Sequence, residues 1–188
     1  MTRIIAGANW SLQLKPAAKA TRPTSDRVKE SMFAKLESLG LIEGAKVLDL
    51  FAGTGALGLE SASRGADLVE LVEKDRKAFD LLSQNAKAAS SALEKQGATP
   101  KIQLSNLDAE KYLRSTLNKF DLVFIDPPYD YPNNELDVLL DSISNFLAEE
   151  GLVVVERSSR SDNPQPKKLE LHSSKTYGDT SVWIFQKP

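Results

Sequence analysis

The sequence predicts an α/β protein in which a mainly parallel sheet is covered by helices on both faces. From residue 46 onward, short apolar runs typical of buried strands alternate with stretches whose apolar residues recur at helical spacing. Parallel strands need a long crossover between them, and a helix usually fills it. Only a short loop separates the last two strand-like runs, so they predict an antiparallel hairpin at the end of the sheet.

The predicted elements follow from these patterns in chain order. Residues 1–22 hold short apolar stretches interrupted by glycine and proline, as in a small hairpin or an extended arm. Thr24 or Ser25 then caps a helix that ends near Leu39. The predicted strands are 47–51, 68–72, 101–104, 120–125, 151–155, 167–172 and 180–186, and the later helices are 57–64, 75–95, 107–117 and 134–147. We expect two units: an arm with its helix at 1–40, and a main domain at 41–188.

Composition excludes several classes of protein. The chain has 188 residues, no cysteine and one histidine, so disulfides and cysteine-bound zinc are excluded and no transition-metal site is expected. No apolar run approaches the roughly 20 residues of a membrane helix, and the first residues lack the apolar core of a signal peptide. We therefore expect a cytoplasmic protein that binds neither a membrane nor a metal.

Charge is unevenly distributed along the chain. The net charge is −2, but residues 1–35 carry seven basic and two acidic side chains, so the remainder is strongly acidic. A basic end on an acidic body is typical of an arm that binds a polyanion, although a solvated surface would look the same.

A glycine turn follows the first predicted strand. Gly53, Gly55 and Gly58 have the G-x-G-x-x-G spacing of nucleotide-binding turns, in which backbone approaches a ligand closely. Glu73 lies twenty positions beyond Gly53, where a carboxylate can accept both hydroxyls of an adenosine ribose; an ordinary surface acid is the alternative. Asp108 follows the third strand and either binds an adenine amine or caps a helix.

The segment Asp126-Pro127-Pro128-Tyr129 follows the fourth strand and is the most specific motif in the chain. Two adjacent prolines remove two amide donors and fix the backbone. The Asp126 carboxylate and the Pro127 carbonyl would then accept both hydrogens of a planar NH₂ group, whose ring stacks on Tyr129. The alternative is a strand-ending turn with a packed tyrosine.

The two motifs together favour S-adenosylmethionine over NAD(P) as the cofactor. Asp49 and Phe51 stand between the strand and the glycines, and a carboxylate there would repel a pyrophosphate. The same carboxylate would attract a sulfonium or an ammonium group. A dehydrogenase also has no use for the acceptor cluster at Asp126.

These segments resemble a known enzyme family. Asp49 to Gly55 and Asp126 to Tyr129 are similar to the motifs of class I S-adenosylmethionine-dependent methyltransferases that modify an exocyclic or amide nitrogen. Residues 3–7, 22–33 and 55–60, with Tyr177 to Thr180, resemble the RsmD family, which methylates N2 of a guanine in bacterial 16S ribosomal RNA. The resemblance covers essentially the whole chain. It implies a Rossmann-like fold with seven strands and a small N-terminal arm.

The motifs, the resemblance and the basic residues of the arm together give the expected site residues. Those expected to bind S-adenosylmethionine are Asp49, Phe51, Gly53, Gly55, Leu57, Glu73, Lys74, Asp108 and Ala109. Those expected to hold and activate the target guanine are Asp126, Pro127, Pro128 and Tyr129. Those expected to contact substrate are Lys15, Lys19, Arg22, Thr24, Arg27 and Tyr177. The expected partner is 16S rRNA or a 30S particle, and the expected state is a monomer.

One segment departs from the family pattern. The family arm continues with a run rich in glycine and arginine, but residues 8–15 here contain a single basic side chain, Lys15. We expect RNA contacts to be weaker or displaced toward Lys15, Lys19 and Arg22. Trp10 either stacks on a base or anchors the arm, and anchoring is the preferred interpretation. An adenine-N6 methyltransferase of the same fold and a non-catalytic RNA-binding assembly factor remain alternatives.

Overall fold

A computed structural model of the protein describes residues 3–16 and 26–188, and its elements follow the predicted order. The helices are α1 (Asp26–Ser38), α2 (Ala56–Ser63), α3 (Arg76–Glu94), α4 (Ala109–Ser115) and α5 (Asn133–Ile143). The strands are β1 (Lys46–Asp49), β2 (Leu68–Val72), β3 (Lys101–Ser105), β4 (Phe120–Ile125), β5 (Leu147–Ser158), β6 (Glu170–Tyr177) and β7 (Thr180–Gln186). A short 3₁₀ helix, Ser144–Phe146, joins α5 to β5.

The strands form one seven-stranded sheet in the order β3-β2-β1-β4-β5-β7-β6. The first five strands pair in parallel, and β7 pairs antiparallel with both β5 and β6. The predicted α/β class, the mainly parallel sheet and the C-terminal antiparallel hairpin are confirmed. The order reverses between β1 and β4, and in such sheets ligands bind beyond the carboxyl ends of the strands at that point.

Each face of the sheet has its own apolar layer. Val47 and Phe124 pack with buried residues of α1, α2 and α3 on one face. Leu48 and Val123 pack with buried residues of α4 and α5 on the other. Neighbouring residues of a strand point to opposite faces, so apolar residues at every position bury both faces.

The N-terminal arm is a short hairpin that packs on the same layer as α1. Arg3 pairs antiparallel with Gln13, and the Ile4 amide donates to the Leu12 carbonyl at 2.9 Å. Ile4 and Leu14 are buried in one cluster with α1, α2 and α3. The predicted boundary near residue 40 therefore falls within a common core.

Strand β5 extends over Leu147–Ser158, whereas 151–155 was predicted. Gly151, the predicted first residue, lies inside the strand. The pairing with β4 shifts register between Phe120 and Leu122. A Cβ on Gly151 would lie 2.8 Å from the Phe120 carbonyl oxygen, so only glycine fits at this irregularity. The helix predicted over 134–147 correspondingly ends at Ile143.

Strand β6 begins later than the predicted 167–172. The amides of Lys167 and Lys168 donate to one carboxylate oxygen of Asp141 at 2.7 and 2.8 Å. These bonds hold the segment against α5, so sheet pairing begins only at Glu170. The contact joins residues about 26 positions apart and has no local sequence pattern.

Residues 3–16 and 26–188 contain neither a membrane-spanning helix nor a cluster of metal-binding side chains. No helix there is both long and apolar enough to cross a membrane. No group of three or more histidine or acidic side chains there is placed to hold a metal ion.

Candidate active site at the carboxyl ends of the parallel strands

The glycine turn connects β1 to α2, and its glycines serve different purposes. Gly53 has a positive φ of 53°, and nothing lies within 4 Å of a Cβ built on it, so it borders open space. Gly55 has φ 89°, and a Cβ there would meet Leu82 at 2.7 Å. A Cβ on Gly58 would lie 2.1 Å from Leu71 of β2. Gly53 thus leaves room for a ligand, whereas Gly55 and Gly58 allow close packing of helices and strand.

Asp49 ends β1 and lies beneath this turn. Its Oδ2 accepts a hydrogen bond from the Gly58 amide at 3.1 Å. Its Oδ1 is buried and has no hydrogen-bond partner among the described residues. Burial raises the pKa of Asp49 to about 7, and the charge of Glu73 adds to this, while the Gly58 and Phe51 backbone amides act in the opposite direction. The site therefore holds a buried acceptor that a cationic group would satisfy.

Glu73 follows β2 and braces the glycine turn. Its Oε2 accepts from the Gly53 amide at 2.9 Å, and its Oε1 accepts from the Asp75 amide at 2.7 Å. The Asn106 side chain donates to the Glu73 carbonyl at 2.8 Å and to the Lys74 carbonyl at 3.2 Å. Glu73 is therefore held beside Gly53, where its remaining lone pairs can accept further hydrogen bonds.

Asp108 is observed as the cap of α4, one of its two predicted roles. Its Oδ1 accepts from the Lys111 amide at 2.8 Å, and its Oδ2 lies 3.4 Å from the Lys111 ammonium. The Lys111 amide is the main reason that the pKa of Asp108 lies below its usual value. Ala109 is buried as the first residue of the helix. A contact of Asp108 with an adenine amine stays a prediction.

The Asp126–Tyr129 segment follows β4, which lies across the switch point from β1 and its glycine turn. Pro127 is buried, whereas Asp126, Pro128 and Tyr129 are exposed, Tyr129 to 57 %. The Tyr131 amide donates to the Pro128 carbonyl at 2.9 Å and closes a turn. The segment thus presents a carboxylate and an aromatic ring to the open end of the sheet.

Phe51 supports this segment from the glycine turn. Its ring lies edge-on to Tyr131, with 5.4 Å between the ring centroids. Phe51 and Tyr131 both pack against the apolar layer of α4 and α5. Leu57, another expected cofactor contact, is buried in the opposite layer. Phe51 therefore connects the predicted cofactor turn to the predicted substrate segment.

Asp126 lies among charges from two other strands. Asp126 is exposed as a residue, but the protein around its carboxyl group raises its pKa well above the ordinary value. The charges of Glu156 and Asp49 raise this pKa further. Arg157 opposes them with a positive charge.

Glu156 and Arg157 are not among the residues that the motifs predict. Both are buried near the carboxyl end of β5, directly after a run of three valines. Asp126 and Arg157 become neighbours because β4 and β5 pair in parallel. Charged residues directly after a buried apolar run are the signal that could have identified them.

Asn85 is another residue of the site that was not predicted from the sequence. Its buried side chain on α3 donates to the Thr54 carbonyl at 2.9 Å and to the Lys15 carbonyl at 3.2 Å. It also accepts from the Lys15 amide at 2.8 Å. Asn85 therefore joins the glycine turn to the end of the arm hairpin.

The predicted substrate residues are only partly described. Lys15 donates to Gln84, Arg27 is exposed on α1, and the Tyr177 hydroxyl lies 2.8 Å from the Ser31 hydroxyl. The Lys175 ammonium lies 4.8 Å from the centroid of the Tyr177 ring. Lys19, Arg22 and Thr24 lie outside the described residues.

The expected anchoring role of Trp10 is wrong. Its side chain is 71 % exposed at the turn of the hairpin. The hairpin is held instead by the buried Asn9, whose amide donates to the Ser63 hydroxyl at 2.8 Å and whose side chain donates to the Ala89 carbonyl at 2.9 Å. A hairpin held by Asn9 leaves Trp10 free to face solvent.

Comparison with known proteins gives full-length matches. The family model described as "Conserved hypothetical protein 95" matches residues 2–186. Ribosomal RNA small subunit methyltransferase D of Haemophilus influenzae is 34 % identical, over 98 % of this chain and 93 % of the relative. The protein of that name from Escherichia coli K12 is 33 % identical, over 97 % of this chain and 89 % of the relative.

A solved structure agrees with these matches. The structure of yhhF from Escherichia coli has a TM-score of 0.80 and 32 % identity, and the match covers 98 % of this chain and 97 % of that one. The matched regions include both the glycine turn and the Asp126–Tyr129 segment, because they extend over almost the whole chain. The chain belongs to the family "Conserved hypothetical protein 95", which is the RsmD family that its motifs resemble.

Proposed function

We propose that the protein transfers a methyl group from S-adenosylmethionine to the exocyclic N2 amine of a guanine in bacterial 16S ribosomal RNA. The observation that carries this proposal is the placement of Asp126 and Asp49 on either side of the sheet's switch point. Near-full-length similarity to ribosomal RNA small subunit methyltransferase D of two bacteria supports the RNA substrate.

The residues present fit S-adenosylmethionine on two structural observations. Asp49 has a buried oxygen without a partner among the described residues, which suits a cationic ligand. Gly53 borders open space above the carboxylate of Glu73, which suits a ribose whose hydroxyls donate to that carboxylate. When bound, the cofactor supplies a methyl group on a positively charged sulfur.

Asp126 and Pro127 would activate the target amine. The N2 lone pair of guanine is delocalised into the ring, which makes the amine a poor nucleophile. By accepting its hydrogens, the Asp126 carboxylate and the Pro127 carbonyl would direct the lone pair toward the methyl carbon. The methylated nitrogen would have to lose a proton, which the Asp126 carboxylate would accept.

Positioning would supply much of the rate enhancement. Holding two reacting groups in line contributes roughly 7–11 kcal/mol to such reactions. Stacking of the base on the exposed Tyr129 ring would contribute about 1–3 kcal/mol of binding. A base must leave its helix to reach a site of this kind. The chain has no cysteine to form a covalent intermediate with the base.

The decisive experiment is methyl transfer from labelled cofactor to three substrates: methyl-deficient 30S subunits, naked 16S rRNA and DNA. The modified base is then mapped. We expect N2-methylguanine in the ribosomal substrates. Methyl-adenine or labelled DNA would favour an adenine-N6 enzyme, and cofactor binding without transfer to any substrate would favour an assembly factor.

A variant tests the assigned roles. Asp126→Asn should abolish methyl transfer and leave cofactor affinity within about twofold, because Asp126 is assigned to the amine and not to the cofactor. Asp130→Asn, four residues further along the same exposed segment, is the matched control and should retain activity. Equal losses of rate and of cofactor affinity in Asp126→Asn would contradict this division of roles.

A further inference from the structure

Arg157 of β5 contacts the segment that carries Asp126. Its Nη2 donates to the Tyr131 carbonyl at 2.8 Å and lies 3.5 Å from the Tyr129 carbonyl. Both carbonyls belong to the chain directly after the two prolines. A guanidinium is rigid and planar, so one side chain can hold two carbonyls in a fixed relationship.

Arg157 is buried and only partly hydrogen-bonded, which is unusual for an arginine. The side chain is buried, and its Nε and Nη1 have no hydrogen-bond partner among the described residues. A buried guanidinium with unsatisfied donors lowers the stability of the fold. Its presence therefore points to a role other than stabilisation. Burial lowers the pKa of Arg157, and the charge of Asp126 opposes that shift, so the two groups interact electrostatically.

The charges that face Asp126 come from two neighbouring strands. Glu156 on β5 and Asp49 on β1 are negative, and Arg157 on β5 is positive. Glu73 adds negative charge near Asp49. Among the charges that act on Asp126 in the described structure, Arg157 is the one that favours the ionised carboxylate.

We propose that Arg157 is a positioning residue for methyl transfer, which holds the Asp126–Tyr129 segment through the Tyr129 and Tyr131 carbonyls and supplies a positive charge that acts on the Asp126 carboxylate. The proposal rests on the function proposed above, in which that carboxylate accepts hydrogens from the target amine. Arg157 acts through Asp126 and the Tyr129 and Tyr131 carbonyls, and it is not a catalytic residue itself.

Three substitutions separate its two contributions. Arg157→Lys keeps the charge but not the planar guanidinium whose Nη2 lies beside two carbonyls. Arg157→Gln keeps a hydrogen-bond donor but not the charge. Arg157→Met keeps neither. Arg160→Met is the matched control, because its side chain is exposed and lies three residues further along the chain.

The measurement is the pH dependence of kcat at saturating cofactor and RNA, with the melting temperature and cofactor Kd as checks of folding. We expect the acid limb of the profile to move to higher pH by about one unit in the Gln and Met variants and to stay in place in the Lys variant. At pH 7 we expect kcat to fall about tenfold or more in all three, with cofactor Kd within about twofold. Arg160→Met should match the wild type.

Two outcomes would overturn the proposal. One is a folded Gln or Met variant with wild-type kcat and an unmoved acid limb. The other is an acid limb that moves as far in the Lys variant, which keeps the charge. If the Met variant does not fold, the Lys and Gln variants decide. Absence of methyl transfer from the wild type to any ribosomal substrate would overturn the proposed function itself. An active Asp126→Asn enzyme would overturn the role of Asp126, through which Arg157 is proposed to act. An unmoved limb with Asp126→Asn inactive would overturn only the role of Arg157.

Discussion

The Lys29 ammonium on α1 lies 3.1 Å from the Glu60 carboxylate on α2, and both side chains are fully excluded from solvent. Glu60 also accepts from the Ile5 amide at 2.8 Å, the Ala6 amide at 3.0 Å and the Arg64 guanidinium at 2.7 Å. The Lys29 ammonium also donates to the Arg3 carbonyl. One buried carboxylate thus joins the arm, α1 and α2.

Glu60→Gln should strongly destabilise the protein. The substitution leaves the Lys29 charge buried without its partner, and loss of one partner of a buried pair costs roughly 3–5 kcal/mol. Urea unfolding monitored by circular dichroism measures the change. Glu110→Gln removes an exposed pair with Arg114 of the same 3.1 Å separation and should cost less than about 1 kcal/mol. Similar losses in the two variants would show that burial of the first pair is unimportant.

Asp49→Asn should stabilise the cofactor-free protein at alkaline pH. The folded pKa is about 7 and the ordinary value is 3.8, so between those values the folded state holds a proton that the unfolded state has lost. Stability therefore falls as pH rises from about 4 to 7, and the deficit persists above 7. The variant avoids this loss and should be more stable at pH 8 by up to ~4 kcal/mol, with little difference near pH 4.

The same substitution should weaken binding of S-adenosylmethionine. Loss of a charged acceptor costs about 1.5–3 kcal/mol, or roughly 10- to 100-fold in Kd by isothermal titration calorimetry. Asp121→Asn is the control, because that carboxylate accepts from the Lys46 amide at the opposite end of β1. A cofactor Kd unchanged in Asp49→Asn would remove Asp49 from the cofactor site.

Glu73→Gln should also weaken cofactor binding, for a different reason. An amide group cannot accept from both the Gly53 and the Asp75 amides, because one of its two ends is a donor. The glycine turn would lose one support, and the ribose would lose an acceptor. We expect at least a tenfold rise in cofactor Kd, with Glu94→Gln at the exposed end of α3 as the control. Equal affinities in the two variants would contradict the role of Glu73.

Trp10→Ala should weaken RNA binding more than it lowers the stability of the protein. Because the indole is 71 % exposed, its removal should change the free energy of unfolding by less than about 0.5 kcal/mol. Stacking on an RNA base is worth about 1–3 kcal/mol, which corresponds to a rise of roughly 5- to 150-fold in KM for RNA. Leu117→Ala, at 97 % exposure, is the control for loss of an exposed apolar side chain. An unchanged KM would show that Trp10 does not contact the substrate.

The sequence by itself determined the class of fold and the two chemical motifs. Helical and strand periods are local properties, so the alternation from β1 onward and the C-terminal hairpin were predictable. The glycine turn and Asp126–Tyr129 were also predictable, since each is a contiguous segment whose residue types are dictated by backbone geometry. Parallel pairing then explains why residues that end different strands, such as Asp49 and Asp126, meet at one edge of the sheet.

Only the tertiary structure decided the pKa values, the long-range hydrogen bonds and the solvent exposure of the site residues. The raised pKa of Asp49 depends on burial under the glycine turn, and the support of Gly53 by Glu73 joins residues 20 positions apart. Arg157 reaches the Asp126 segment because β5 lies beside β4, and Trp10 is exposed because Asn9 anchors its hairpin. Burial and long-range contacts arise from the packing of distant segments, and no local pattern encodes them.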